Sequence, residues 1–136
     1  MLDHIGIQVS DFARSKEFYR TALVPLRYQL LKESPSSAGF GVVSGHGRCA
    51  DPAGDFWISR GQPHQPRVHI AFSAGSRAGV DAFFERALAA GGRSNGPPGL
   101  RTQYHADYYA AFILDPDGYN VEAVCHAALN KLGAAT

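Results

Sequence analysis

The residues best suited to chemistry in this chain are two histidines and one glutamate. Residues 4–23 (HIGIQVSDFARSKEFYRTAL) align without a gap on residues 69–88 (HIAFSAGSRAGVDAFFERAL), a constant shift of 65 positions that sets His4 on His69. The second half closes with DPDGYNVEAV, which carries Glu122 in an otherwise apolar run. An ionised carboxylate in such a run is costly unless it is paired or bound to a cation. Two neutral imidazoles and a carboxylate form a ligand set that leaves coordination positions open for water and substrate, the mark of a catalytic rather than a structural metal site.

The elements that must position these groups follow from periodicity. Residues 2–9 and 68–74 are rich in Ile, Val and Phe and predict strands. Side chains alternate across a strand. Ile5, Ile7 and Val9 therefore pack inward while His4, Gly6 and Gln8 share the other face, and His69, Ala71 and Ser73 repeat that pattern. On the last strand Glu122 shares a face with Asn120 and Val124. A helix follows each first strand: Ser10 or Asp11 caps one with Phe12, Ser15, Phe18, Tyr19 and Ala22 as its buried stripe. Ser76 caps the other, with Val80, Phe83, Phe84, Ala87 and Leu88, and Gly91-Gly92 ends it. Further strands are predicted at 26–32, 39–44 and 55–59, then a weak one at 92–95, and at 108–115 and 119–125. Asp115-Pro116-Asp117-Gly118 makes a turn before the last, and residues 95–103 form a Gly/Pro-rich loop.

The fold expected is α+β: two βαβββ modules, 1–61 and 67–126, joined by a linker at 62–66 within a single domain, 1–126, and followed by a tail, 127–136. Net charge is +1 with no basic run, so neither nucleic acid nor an acidic membrane is expected as partner. No apolar run approaches the roughly 20 residues needed to span a bilayer. Cys49 and Cys125 lie far apart, and the first residues lack the pattern of a signal peptide. Together these predict a cytoplasmic chain without a disulfide framework.

DHIGIQVSD with its SKEFY helix, RVHIAFSA with its helix, and YYAAFILDPDGYNVEAVCH resemble the vicinal oxygen chelate superfamily of glyoxalases, bleomycin-resistance proteins and extradiol dioxygenases. The resemblance covers nearly the whole chain. It implies that the two modules curve into a mixed-sheet cup around a divalent metal ion (Fe, Mn, Ni, Co or Zn) held by His4, His69 and Glu122. The family's fourth ligand position departs: the shift of 65 puts Trp57 there, and aligning DPAG with DPDG puts Ile58 there. The resemblance further implies a homodimer, with each cup formed either within one chain or by module exchange. It also implies a histidine and a tyrosine as acid–base groups, for which His105 and Tyr109 are the candidates; an aromatic cluster of Tyr104, His105, Tyr108 and Tyr109 that merely closes the cup is the alternative. Trp57, Tyr104 and Arg101 are candidate substrate contacts, Arg101 for an anionic group. The activity implied is that of a metal-dependent lyase, isomerase or dioxygenase acting on a small oxygenated molecule. The competing expectation is a metal-free protein that sequesters a planar compound, as bleomycin-resistance proteins do.

Overall fold

A computed structural model describes residues 1–129; the tail expected over 127–136 lies outside the described residues from 130 onward. The first module runs β1 (Ile5–Val9), α1 (Phe12–Ala22), β2 (Gln29–Glu33), β3 (Ser37–Gly41) and β4 (Phe56–Arg60). The second runs β5 (His69–Ser73), α2 (Arg77–Ala89), β6 (Arg93–Leu100), β7 (Tyr109–Leu114) and β8 (Asn120–Cys125). Each module forms its own four-stranded mixed sheet, ordered β1-β4-β3-β2 and β5-β8-β7-β6. The first strand pairs in parallel with the last in both, Ile5 opposite Phe56 and His69 opposite Asn120.

The sequence dictates these elements locally. Asp11, rather than Ser10, caps α1 by accepting from the Arg14 amide at 3.2 Å, and Ser76 caps α2 through the Gly79 amide at 3.0 Å. The buried residues of α1 are the predicted stripe, Phe12, Ser15, Phe18, Tyr19 and Ala22. On α2 the stripe is narrower: Val80, Phe83 and Ala87 are buried, Phe84 is half-buried and Leu88 is exposed. Gly91, at φ +101, ends that helix in a conformation that favours glycine.

Four boundaries differ from expectation. β1 begins at Ile5 rather than at residue 2, which leaves His4 ahead of the strand. Pro25 opens a single 3-10 turn, Val24–Leu26, so β2 begins three residues later than predicted. β3 leaves the ladder after Gly41 rather than at residue 44. Most of the expected loop over 95–103 is strand: β6 extends through Pro97 and Pro98. It lies at the edge of its sheet, where a missing N–H on the outer side breaks no ladder bond.

The helix-side faces of the two sheets share one core. Tyr19 packs edge-on against Phe56 with centroids 5.0 Å apart, and Phe56 against Phe72 at 5.2 Å, which carries the packing from the first module into the second. The opposite faces hold Trp57, His69 and Glu122.

Candidate active site

Glu122 lies on the middle of β8 with only 2% of its surface exposed. Its Oε1 faces His69 Nε2 at 2.9 Å, and its Oε2 accepts a hydrogen bond from the Tyr108 hydroxyl. His69 stands at the start of β5, where the parallel register sets its side chain on the same face as Glu122. His69 Nδ1 meets the Asn120 carbonyl oxygen at 2.9 Å. A carbonyl can only accept, so Nδ1 carries a proton, and Nε2 meets the carboxylate either as the donor of an imidazolium or, in the neutral ring, with its lone pair. In the neutral ring two acceptors face each other beside a buried carboxylate, an arrangement that requires a proton or a cation between them. Two ligand atoms held at right angles about 2.1 Å from one ion stand about 3.0 Å apart. The donor set therefore fits a divalent cation, and the Asn120 carbonyl behind His69 orients the ring as carbonyls do behind metal-bound histidines.

His4 is elsewhere. Its Nδ1 pairs with Asp3 Oδ1 at 2.8 Å, and its side chain is exposed. His4 and His69 border one cavity of about 310 Å³ that also touches Tyr28 and Asp55, but Glu122 does not line it. Among the described residues, no group of three or more His, Cys, Asp or Glu side chains stands together so as to hold a metal. One chain therefore joins two of the three expected ligands. Burial holds the Asp55 carboxyl above the usual carboxylate range.

The strand register resolves the fourth position. Gly6 pairs with Trp57 as Ala71 pairs with Glu122, so Trp57 is the structural counterpart of Glu122 and Ile58 is buried on the helix side. The Trp57 indole donates to the Gly54 carbonyl at 3.2 Å and lies over Gly39, where a Cβ would come within 2.7 Å of the ring.

Alternation along β7 separates the tyrosines. Phe112 pairs with Glu122, so Tyr108, in step with Phe112, falls on the Glu122 face, and Tyr109 falls on the other. The Tyr109 hydroxyl donates to Asp81 of α2 at 2.6 Å, directed at the helix layer rather than at Glu122. Burial, then the bond to Glu122, pushes the Tyr108 hydroxyl up to about 12, so it remains a donor through the neutral range. His105 Nδ1 accepts from the Asp107 amide at 3.1 Å, which leaves its Nε2–H to donate to His126 Nδ1 at 2.8 Å. Both imidazoles pack edge-on against Tyr108, and Tyr104 leans on it with centroids 4.7 Å apart. His105 thus reaches Glu122 only through Tyr108. Sequence reasoning gave Phe112 and Asn120 no role in this site and placed Tyr108 only in a cup-closing aromatic cluster; counting by twos back from Phe112 was the signal that could have singled out Tyr108.

Arg101 sits over the Phe112 ring at 5.4 Å, and Phe112 stacks on His69 with centroids 6.1 Å apart. A family model described as the Glyoxalase/Bleomycin resistance protein/Dioxygenase superfamily matches residues 1–123. The chain belongs to that superfamily. A glyoxalase/bleomycin resistance protein from Albidiferax ferrireducens T118 is 29% identical, with a TM-score of 0.72 over 92% of this chain and 98% of its own. A fosfomycin resistance protein, FosX, from Listeria monocytogenes is 23% identical, with a TM-score of 0.67 over 95% and 94% of the two chains. A glyoxalase I mutant from Zea mays is 22% identical, with a TM-score of 0.63; the match covers 90% of this chain but 46% of that one. The last two are likenesses of fold. No curated protein matches the sequence. No helix among the described residues is long and apolar enough to cross a membrane.

Proposed function

We propose that this superfamily member is a metal-dependent enzyme that binds a small oxygenated substrate at a divalent cation held by His69, Glu122 and His4. The single observation that carries the reading is the contact of His69 Nε2 with the buried Glu122 carboxylate, 2.9 Å away, with Nδ1 anchored on a backbone carbonyl. When bound, the cation supplies Lewis-acid polarisation of substrate oxygens. The chain's own groups do the rest. Asn120 fixes the His69 tautomer, and Tyr108 holds one Glu122 oxygen so that the other faces His69. Tyr108, ringed by His105 and His126, is the proton-bearing hydroxyl nearest the site, and its high pKa suits it to donate a hydrogen bond rather than to act as a base near neutrality. Trp57 and Tyr104 offer aromatic walls.

His4 does not join the other two ligands within one chain, so in this reading the set is completed between two copies, His4 of one meeting His69 and Glu122 of the other. Metal analysis of untagged protein tests the function: stoichiometric Mn, Fe, Ni, Co or Zn, lost in Glu122→Ala, is the expected result. Mixing a His4→Ala chain with a Glu122→Ala chain tests the assembly; recovered metal binding supports the shared site, and no recovery points to cups within one chain.

A second reading has one observation in its favour. The Trp57 indole, held flat over Gly39 where a fourth ligand would stand, suits a metal-free protein that stacks on a planar compound. Protein that takes up no metal on titration, yet quenches Trp57 fluorescence with planar ligands, would support it.

A further inference from the structure

A cavity of about 280 Å³ opens beside His69, lined by Asn95, Arg101, Gln103, Tyr104, Phe112 and Asn120. No acid is among these residues. Arg101 is half-buried, and among the described residues its guanidinium makes one hydrogen bond, to the Pro97 carbonyl at 2.6 Å, and no ion pair. It is nevertheless held in place. A Cβ at Gly96 or at Gly99 would stand 3.2 Å from its nitrogens, so the Gly96-Pro97-Pro98-Gly99 stretch of β6 wraps it closely, and the Phe112 ring lies beneath it. Lining the same cavity, Asn120 accepts at its side-chain oxygen from Asn95 at 3.2 Å, which leaves its amide N–H groups as donors. A positioned, partly desolvated cation without a counter-charge, next to free amide donors, is the chemistry of an oxyanion receptor.

The cavity is joined to the candidate centre by two residues. Phe112 touches both Arg101 and His69, and Asn120 presents its side chain to the cavity and its carbonyl to His69. We infer that this cavity is an anion subsite that takes the carboxylate, phosphonate or phosphate group of a substrate whose other oxygens reach toward His69 and Glu122. The inference rests on the reading above for where the reacting end lies, but the anion contact itself needs no metal.

The test uses chelator-treated full-length protein titrated with inorganic phosphate and, in parallel, with acetate, followed by amide chemical shifts. At least one anion is expected to bind at millimolar concentration with shifts centred on Arg101, Phe112 and Asn120, and the stronger of the two identifies the class of acid. Arg101→Gln is expected to weaken that binding about ten- to hundredfold, the effect of removing a charge-assisted pair, while Arg14→Gln on the exposed side of α1 leaves it unchanged. Binding of neither anion, shifts mapping elsewhere on the unsubstituted protein, or equal loss in both variants would overturn the inference. Metal titration of the same samples separates the two ideas. Lost anion binding with intact metal uptake defeats the subsite alone; intact anion binding without metal uptake defeats the metal reading alone.

Discussion

Tyr108 illustrates how one hydroxyl sets the character of a carboxylate. Glu122 has no lysine or arginine among its hydrogen-bond partners in the described residues; its oxygens meet His69 and Tyr108. By occupying Oε2, Tyr108 restricts the carboxylate to a single free oxygen and sets its rotation. Removing such a partner behind a ligand typically costs 10- to 100-fold in metal affinity. Tyr108→Phe is therefore expected to weaken metal binding about 10- to 100-fold, measured by competitive chelator titration, and, because it leaves a buried carboxylate short of a donor, to cost the metal-free protein about 1–3 kcal/mol near neutrality. Tyr109→Phe, whose hydroxyl reaches Asp81 instead, is expected to leave metal affinity unchanged. One residue of sequence separates these two outcomes because strand parity separates the two faces.

At the scale of elements, the two sheets share a topology but present different surfaces. In the second, β5, β7 and β8 offer His69, Phe112, Asn120 and Glu122. In the first, the corresponding face is built around Trp57 lying on a glycine. A Cβ at Gly39 would approach the Ala53 carbonyl to 2.2 Å as well as the indole ring, so the Ala53 backbone must move whether or not the indole turns aside. Gly39→Ala is expected to cost about 1–3 kcal/mol by overpacking, read from chemical denaturation, and to shift Trp57 fluorescence. The edge strand β6 shows the limit of local reading. Its Gly-Pro-Pro-Gly run has the composition of a loop, and pairing with β7, irregular between Ser94 and Gly99, makes it a strand. The location of Arg101 depends on that irregular pairing.

At the scale of the molecule, polar contacts tie the modules together. The Tyr19 hydroxyl of α1 donates to Asp115 at 2.5 Å, and the Tyr119 hydroxyl donates to the Gln8 carbonyl at 2.6 Å while accepting from the His64 amide at 2.9 Å. Asp117 accepts from Ser10. The turn that precedes β8 is therefore also the joint between modules, and the His64 amide is part of it. Burial pushes the Asp115 carboxyl up, against the opposing effect of the Tyr19 and backbone donors. Its folded value thus exceeds its unfolded one, and the native state binds the proton more tightly. Stability should be greatest below the unfolded carboxylate value, about 3.9, and fall as pH rises from there through the higher folded value. Asp115→Asn, which keeps an oxygen for the two backbone amides, should flatten that dependence. Tyr19→Phe, which leaves a buried carboxylate short of a donor, should cost about 1–3 kcal/mol near neutrality. Melting temperature against pH for the three proteins distinguishes these cases.

Much of this architecture is local and therefore legible in the sequence. The 65-residue shift, the capping residues, the buried stripe of α1 and the alternation of β1 and β5 each depend on spacings of a few residues. Those spacings alone were enough to set His4 and His69 at equivalent positions, the first just ahead of β1 and the second at the start of β5, and to put Glu122 on the face of its strand that Asn120 and Val124 share. What needed the tertiary structure was every choice made between chain segments far apart: Trp57 over Ile58 as the counterpart of Glu122, Tyr108 over Tyr109 as its neighbour, the prolines of β6 in a sheet, and His4 apart from the other two ligands in one chain. Such choices follow from strand register and module packing, which gather residues dozens of positions apart, and no short-range pattern encodes the distance at which they meet.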